Sequence, residues 1–172
     1  ANSVDAETGN DEGIFGFGSG PTAVTNLVSN TGVVSSDVAG VGTARFYVSG
    51  CEYGGDKGIF GMGTDYSGIT NLVSNTGVVA SDTAGVGTIR GYLGACEYGG
   101  DKGIFGFGRI SAAPSVLATT NLVSNTGVVA SDTAGVGTAR KEIKACWYGE
   151  DVKDKGIFGF GSLGDAPTHT RV

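Results

Sequence analysis

Three aspartates stand at matching places in this chain and are the first residues to consider for chemistry. Asp37, Asp82 and Asp132 each occupy the same position of the phrase Ser-Asp-X-Ala-Gly-Val-Gly. A carboxylate can transfer protons or bind a cation, but Asp and Gly together also build ordinary tight turns. A calcium loop needs oxygen ligands at alternate positions, and this phrase carries a single carboxylate. We therefore expect turns here, with small cation or ligand sites as the alternative.

Three arginines follow the aspartates, one after each copy of the phrase. A guanidinium donates a fork of hydrogen bonds to carboxylates or carbonyls, and it can equally bind an external anion. We expect Arg45, Arg90 and Arg140 to make blade-locking contacts with carboxylates or carbonyls. The anion site is the alternative, so all three stay candidate ligand-binding residues.

Six aromatic residues form a second set of candidates for ligand binding. Tyr and Trp combine a large apolar ring with a polar tip. The four residues after each arginine differ between otherwise copied repeats, at 46–49, 91–94 and 141–144, so packing alone does not dictate them. The aromatic candidates are Tyr47, Tyr53, Tyr92, Tyr98, Trp147 and Tyr148.

The residues for metal or nucleophilic catalysis are scarce. The chain has one histidine, His169, near its C-terminus, and a single His supplies neither a metal site nor a catalytic dyad. A G-x-x-G-x-G spacing in Gly-Ile-Phe-Gly-Phe-Gly is followed by no helix that could hold a phosphate. We expect no metal, no cofactor and no enzymatic activity.

Composition restricts the partners. The chain has 172 residues, a formal net charge of −6 and 16% charged residues, which argues against binding a phosphate backbone. No run approaches the roughly 20 apolar residues of a membrane helix, so no membrane insertion is expected. The 33 glycines, without a three-residue period, indicate many tight turns and closely approaching strands.

Two phrases repeat and define the elements that must position these residues. Thr-Asn-Leu-Val-Ser-Asn-Thr-Gly-Val-Val occurs at 25–34, 70–79 and 120–129. Gly-Ile-Phe-Gly-Phe-Gly occurs at 13–18, 103–108 and 156–161, and at 58–63 with Met62 in place of the second Phe. Repeats of about 45 residues are typical of solenoids, propellers and arrays.

Each repeat is expected to hold four strands and no helix. In one copy these are residues 88–98, then 103–108 after the Gly99-Gly100-Asp101-Lys102 turn, then 120–124 and 128–131. No segment shows the 3.6-residue periodicity of a helix. A four-stranded antiparallel unit repeated in tandem predicts an all-β, β-propeller-like fold.

The repeat resembles the Kelch-type propeller blade. The resemblance lies in Arg90, Gly94-Ala95-Cys96, Gly99-Gly100 and the strand 104–108, and it extends over nearly the whole chain. It implies that the small-residue strand is innermost and the glycine-ended strand second. The stock phrases also resemble repeats in structural proteins of marine bacteriophages.

Counting strands gives 14, or about 3.5 blades, whereas propellers close with about four to eight. We expect one repeat domain at 1–161, with units at 1–42, 43–87 and 88–137, a half unit at 138–161 and a tail at 162–172. A homodimer would close a seven-bladed ring. A fragment of a longer repeat protein and a three-fold trefoil-like barrel are the alternatives.

Three cysteines occupy equivalent positions in successive repeats, each two residues before a tyrosine. Equivalent positions of neighbouring repeats are normally too far apart for a disulfide, so Cys51, Cys96 and Cys146 are predicted to be buried thiols. Because their number is odd, an intermolecular disulfide or a reactive thiol is the alternative.

These patterns predict a non-enzymatic structural or adhesive module that mediates protein assembly or surface recognition, as in a phage tail fibre. A carbohydrate-binding propeller lectin with one site per repeat is the alternative, with glycans as ligands. The sequence leaves the localisation open, and an extracellular or virion location is the expected one.

Overall fold

A computed structural model describes residues 11–63, 68–112, 115–149 and 153–164, and within these ranges the fold is all-β with no helix. Ten strands form four separate antiparallel sheets. In chain order the strands are β1 (Gly13–Gly16), β2 (Thr25–Val28), β3 (Ser49–Tyr53), β4 (Lys57–Gly61), β5 (Thr70–Val73), β6 (Gly94–Tyr98), β7 (Lys102–Gly106), β8 (Thr120–Val123), β9 (Lys144–Tyr148) and β10 (Lys155–Gly159).

The sheets follow the repeats, and we number the units accordingly. Unit 1 pairs β1 with β2, unit 2 has the order β3-β4-β5, unit 3 has the order β6-β7-β8, and unit 4 pairs β9 with β10. Copies of the same phrase pair in the same register, so that Phe60 lies opposite Asn71 and Phe105 opposite Asn121. The repeated sequence therefore builds a repeated sheet.

Tight turns join the first two strands of each complete unit. In unit 2 the residues Gly54 and Gly55 have φ values of 63° and 77°, which glycine adopts without the steric cost of a Cβ. The turn brings Tyr53 opposite Lys57 and starts the β3–β4 ladder. The predicted hairpins are confirmed.

The fourth strand of each unit is not the continuous strand that the sequence predicts. In unit 3 the segment after β8 makes two isolated bridges, Val123 with Val129 and Thr120 with Thr133. Between them the side chain of Asn121 donates to the Ala130 carbonyl at 3.1 Å, so a side-chain amide replaces part of the ladder. The described sheets accordingly have two or three strands, and they close into no barrel or propeller ring. Residues 5–13 align with 95–103 and predict a first strand at the start of unit 1, and residues 5–10 of that segment lie outside the described residues.

Neighbouring units pack through a phenylalanine and a glycine. The ring of Phe60 in β4 lies against Gly16 of unit 1, Phe105 lies against Gly61, and Phe158 lies against Gly106. A Cβ on these glycines would stand 3.0, 2.6 and 2.8 Å from the nearest ring carbon, closer than real side chains allow at the last two. Glycine is required at these positions because the facing ring occupies the space beside the backbone.

The thiols show the same packing and correct one prediction. Cys96 is buried and Cys51 is half-buried. The Sγ atom of Cys96 lies 2.7 Å from the position that a Cβ on Gly156 of the following unit would take, and the Sγ atom of Cys51 lies equally close to that of a Cβ on Gly103. Cys146 is exposed, so the prediction of three buried thiols is wrong for this residue. The reason is that no further unit covers β9 in the described part of the chain. All three thiols are free.

Candidate functional site

Two of the three arginines predicted as ligand-binding candidates lie in the interior. Arg45 and Arg90 are 1% and 0% exposed. Arg45 donates from Nε to the Met62 carbonyl at 2.9 Å and from Nη2 to Asn71 Oδ1 at 2.5 Å. Arg90 repeats both bonds, to the Phe107 carbonyl at 2.6 Å and to Asn121 Oδ1 at 2.7 Å.

The recurring aspartates complete these arginine networks. Asp82 accepts hydrogen bonds from Thr43 Oγ1 at 2.7 Å and Asn71 Nδ2 at 2.9 Å, and Arg45 Nη1 lies 3.8 Å away. Partial burial pushes the pKa of Asp82 upward, but these bonds outweigh it and hold the pKa below its usual value. Arg45 and Arg90 thus contact a carbonyl and a carboxylate, with the partners inside their own units, 43–87 and 88–137. Both are corrected as ligand-binding candidates because their guanidinium groups are buried and already bonded.

The third arginine has fewer partners. Arg140 stacks on the ring of Phe107, with 4.6 Å from the guanidinium carbon to the ring centroid, and donates to the Thr138 carbonyl at 3.3 Å. Its buried Nε has no hydrogen-bond partner among the described atoms. Unit 4 contributes only two strands within the described residues, so no asparagine corresponding to Asn121 meets this arginine there.

Tyr47, Tyr92 and Glu142 form a continuous row, which we call the tyrosine row. All three occupy the same repeat position and have φ values of 56°, 57° and 57°, a conformation that costs of order 1–3 kcal/mol for a residue with a Cβ. Tyr92 N donates to the Tyr47 carbonyl at 3.3 Å, and Glu142 N donates to the Tyr92 carbonyl at 2.8 Å. The backbone is therefore constant along the row while the side chains change.

The side chains of the tyrosine row make an aromatic and charged surface. The rings of Tyr47 and Tyr92 stack with centroids 3.7 Å apart, and Tyr47 remains 44% exposed. Burial and a hydrogen bond with Tyr47 raise the pKa of Tyr92 to about 12, so its hydroxyl stays protonated. Lys141 Nζ lies 5.7 Å from the Tyr92 ring centroid, within cation–π range. A cleft of about 590 Å³ runs beside the row and is also lined by Ser49.

The other four aromatic candidates are not equivalent to one another. Tyr53 is 4% exposed and belongs to the core, so it is corrected as a ligand contact. Tyr98 is half-buried, whereas Trp147 and Tyr148 are 47% and 49% exposed. The difference follows the position along the array, since unit 4 is covered on one side only.

A second cavity, of about 790 Å³, is lined by residues of all four units, including the first strands of units 2 to 4. Its lining includes Glu52, Glu97, Trp147 and Lys153. Lys153 Nζ reaches Glu52 Oε2 at 2.5 Å and Glu97 Oε2 at 3.1 Å, although Glu97 is only 3% exposed. We call Glu52, Glu97 and Lys153 the carboxylate–lysine cluster.

The carboxylate–lysine cluster can hold a proton near neutral pH. Burial raises the pKa of Glu97 to about 7, and the neighbouring Glu52 carboxylate adds to the effect, while Lys153 opposes it. Glu97 can therefore donate or accept a hydrogen bond at pH 7 according to its surroundings. Sequence reasoning missed this cluster. The available signal was the repeated Cys-Glu-Tyr of units 2 and 3, which becomes Cys-Trp-Tyr in unit 4.

No group of three or more His, Cys, Asp or Glu side chains is placed to hold a metal ion within the described ranges. His169 lies outside them. Over the same ranges no helix is long and apolar enough to cross a membrane.

Comparison with known proteins gives one distant likeness to report. No protein-family model matches the chain, and no curated protein matches it. The solved structures that match include a fungal alcohol oxidase of the AA5 family, solved in complex with copper, at 16% sequence identity and a TM-score of 0.45. The match covers 62% of this chain and 23% of that chain, so this chain spans less than a quarter of the oxidase.

This likeness contradicts the expectation that the chain is not an enzyme, because the solved protein is an oxidase. We withdraw that expectation. At this TM-score the likeness assigns no reaction, cofactor or site residue to the chain.

Proposed function

We propose that the chain is a structural or adhesive repeat module with a propeller-like arrangement of units, and that the tyrosine row is its recognition surface. The observation that carries this proposal is the shared left-handed backbone of Tyr47, Tyr92 and Glu142. Strained conformations persist where the surrounding structure holds them, and they concentrate at binding sites. A constant, strained backbone that presents different side chains is suited to recognition.

The surface chemistry of the row narrows the class of partner. Tyr47 and Tyr92 offer stacked rings with hydroxyl groups, and the exposed Glu142 adds a carboxylate that pairs with the buried Lys141 at 3.9 Å. Such a surface fits a polar, uncharged target that presents both hydroxyl groups and apolar patches, as cell-surface polysaccharides do. An extracellular or virion role, as in a phage tail fibre, agrees with this chemistry and remains a proposal.

Adsorption to cells tests the recognition role. Labelled protein is incubated with a panel of bacterial cells and with their purified surface polysaccharides, and bound label is measured by flow cytometry and in plate assays. We expect Tyr47→Ala and Tyr92→Ala to reduce adsorption at least about tenfold, equivalent to about 1.4 kcal/mol. Tyr148→Ala removes an exposed tyrosine outside the row and should leave adsorption unchanged. Equal adsorption by all four proteins, or none by the parent, would overturn the proposal.

A carbohydrate-binding lectin is the second candidate, and the carboxylate–lysine cluster favours it. Trp147 lines the same cavity as Glu52 and Glu97, which places an aromatic face beside hydrogen-bonding carboxyl groups. A glycan array separates the candidates, since a lectin retains a defined glycan specificity that Trp147→Ala removes and Tyr47→Ala does not. Because Trp147 replaces the glutamate of units 2 and 3, this site would be single and not repeated.

The assembly role rests on the incomplete fourth unit. Phe160 is 92% exposed, whereas its repeat equivalents Met62 and Phe107 are 1% and 7% exposed. This exposed end supports a homo-oligomer, which we propose closes a ring of propeller-like blades, seven in a dimer by the strand count.

A further inference from the structure

The two ends of the unit array each leave half of a recurring contact unfilled. Within the chain, the second strand of one unit inserts a phenylalanine against a glycine of the unit before it, as Phe60 does at Gly16 and Phe105 at Gly61. The contact occurs three times among the described units. It has a knob, the Phe ring, and a hole, the bare backbone of the glycine.

The knob that stays exposed is Phe15 in unit 1. Phe15 is 64% exposed, whereas its repeat equivalent Phe105 is 0% exposed. The unfilled hole is Gly159 in unit 4. No described atom outside its immediate neighbours lies within 4 Å of a Cβ built on Gly159, whereas the equivalent Gly106 meets Phe158 at 2.8 Å.

The cysteine contact leaves the same two ends open. Cys51 and Cys96 each press their Sγ against a glycine in the second strand of the next unit. Cys146 in unit 4 is exposed and lacks such a cover among the described residues. Gly13, the equivalent glycine of unit 1, meets only Val28 of its own sheet, at 3.5 Å. This second contact therefore also has one half at each end, the thiol of Cys146 in unit 4 and the bare glycine Gly13 in unit 1.

We infer that a second copy of this chain docks head to tail, so that Phe15 of one copy fills the space beside Gly159 of the other and Gly13 covers Cys146. The occupant is a second copy because each open half matches the other open half of the same chain in residue type and spacing. The contact continues the packing already present between units 1 and 2, 2 and 3, and 3 and 4. The inference rests on the proposed assembly role and names its partner surface.

Two variants test the contact at its two halves. Gly159→Val fills the hole, and the open space around Gly159 lets the chain itself accept the side chain. Phe15→Ala removes an exposed knob. We expect the parent to self-associate and each variant to shift toward the single-chain mass of 17.2 kDa in light scattering. Circular dichroism spectra, and urea melts at a concentration where the parent is monomeric, should match the parent.

A mixture of the two variants provides the decisive measurement. Gly159→Val keeps an intact Phe15, and Phe15→Ala keeps an intact Gly159, so together they can form one contact and no more. A head-to-tail interface therefore predicts a heterodimer in the mixture, although neither variant associates alone. A symmetric interface, in which the same surface meets itself, predicts no such rescue.

Three results would overturn the inference: a parent that stays at 17.2 kDa at its highest soluble concentration, variants that associate like the parent, or a mixture without heterodimer. The recognition role is measured separately through the tyrosine row, which none of these substitutions touches. A parent that stays monomeric and still adsorbs to cells would thus reject the docking contact and leave the recognition role standing.

Discussion

The ring of Phe105 fills the space beside the backbone of Gly61 in the preceding unit. Its Cζ lies 2.6 Å from where a Cβ on Gly61 would be, and Phe105 is 0% exposed. The same pair of residue types recurs at each junction between described units, so the array is held together by repeated copies of one contact. Its energetics can be measured with matched substitutions at covered and uncovered positions.

Phe105→Ala should destabilise the fold by about 3–5 kcal/mol, because a fully buried ring is lost and a cavity remains. Phe15→Ala, compared at a concentration where the chain is monomeric, is the matched control at the exposed end, where surface substitutions usually change stability by about 0.5 kcal/mol or less. Urea melts of both variants measure the difference. Equal loss in the two variants would mean that Phe15 is covered within the single chain or that Phe105 is not.

Gly106→Val should destabilise the fold by about 1–3 kcal/mol, although valine has the higher strand propensity. The ring of Phe158 stands 2.8 Å from the new Cβ and would have to move. Gly159→Val, compared at a concentration where the chain is monomeric, should be neutral or slightly stabilising. A Gly106→Val variant that melts like the parent would contradict the packing of units 3 and 4.

Arg90→Met should cost about 3–5 kcal/mol, because it leaves Asn121 Oδ1 and the Phe107 carbonyl buried without their donor. Arg140→Met is the control within the same protein. Arg140 has no asparagine partner in the described residues and one described hydrogen bond, so we expect a loss of about 1 kcal/mol or less. Thermal and urea melts give both values, and a larger loss for Arg140→Met would mean that this arginine has a partner we have not assigned.

Stability should fall as the pH rises from about 4.5 to about 7, because the pKa of Glu97 is raised from 4.5 to about 7 on folding. The folded state then binds the proton more tightly than the unfolded state in that window, and above it the loss is complete. Glu97→Gln should flatten this slope and raise stability at pH 8 relative to the parent. Glu142→Gln, which changes a glutamate outside the cavity, should keep the parental slope in urea melts across the window.

At a concentration where the chain is monomeric, Cys146 should react with iodoacetamide in the native protein, whereas Cys51 and Cys96 should react only after denaturation. Burial is the largest of the effects that raise the pKa of Cys51 to about 12 and of Cys96 to about 11, so little thiolate is present at either site. Mass spectrometry of peptides after native labelling gives the extent at each thiol. Rapid labelling of Cys96 would show that unit 4 does not cover unit 3.

Local features could be read from the sequence because they depend on neighbours along the chain. The copied phrases predict the β7 strand and the Gly99-Gly100 turn, and the glycine content predicts closely approaching strands, as found at Gly106. The contacts of Arg45 and Arg90 were also predicted in kind, since a guanidinium recurs at the same position of three successive repeats and commonly bonds to carboxylates and carbonyls. The described structure lacks the continuous fourth strand that the sequence predicts. The reason is that the Asn121 side chain donates to the Ala130 carbonyl, which a neighbouring backbone N–H would otherwise use.

The sequence by itself determined which segments form strands and turns, since strand propensity and left-handed glycines act over a few residues. Only the tertiary structure decided which copies of a repeated residue are buried against a neighbouring unit. Met62, Phe107 and Phe160 have nearly the same local sequence, yet they are 1%, 7% and 92% exposed. The cluster of Glu52, Glu97 and Lys153 likewise joins three units. Burial and pKa depend on what lies across an interface, and identical repeats differ physically because the described units that pack against them differ.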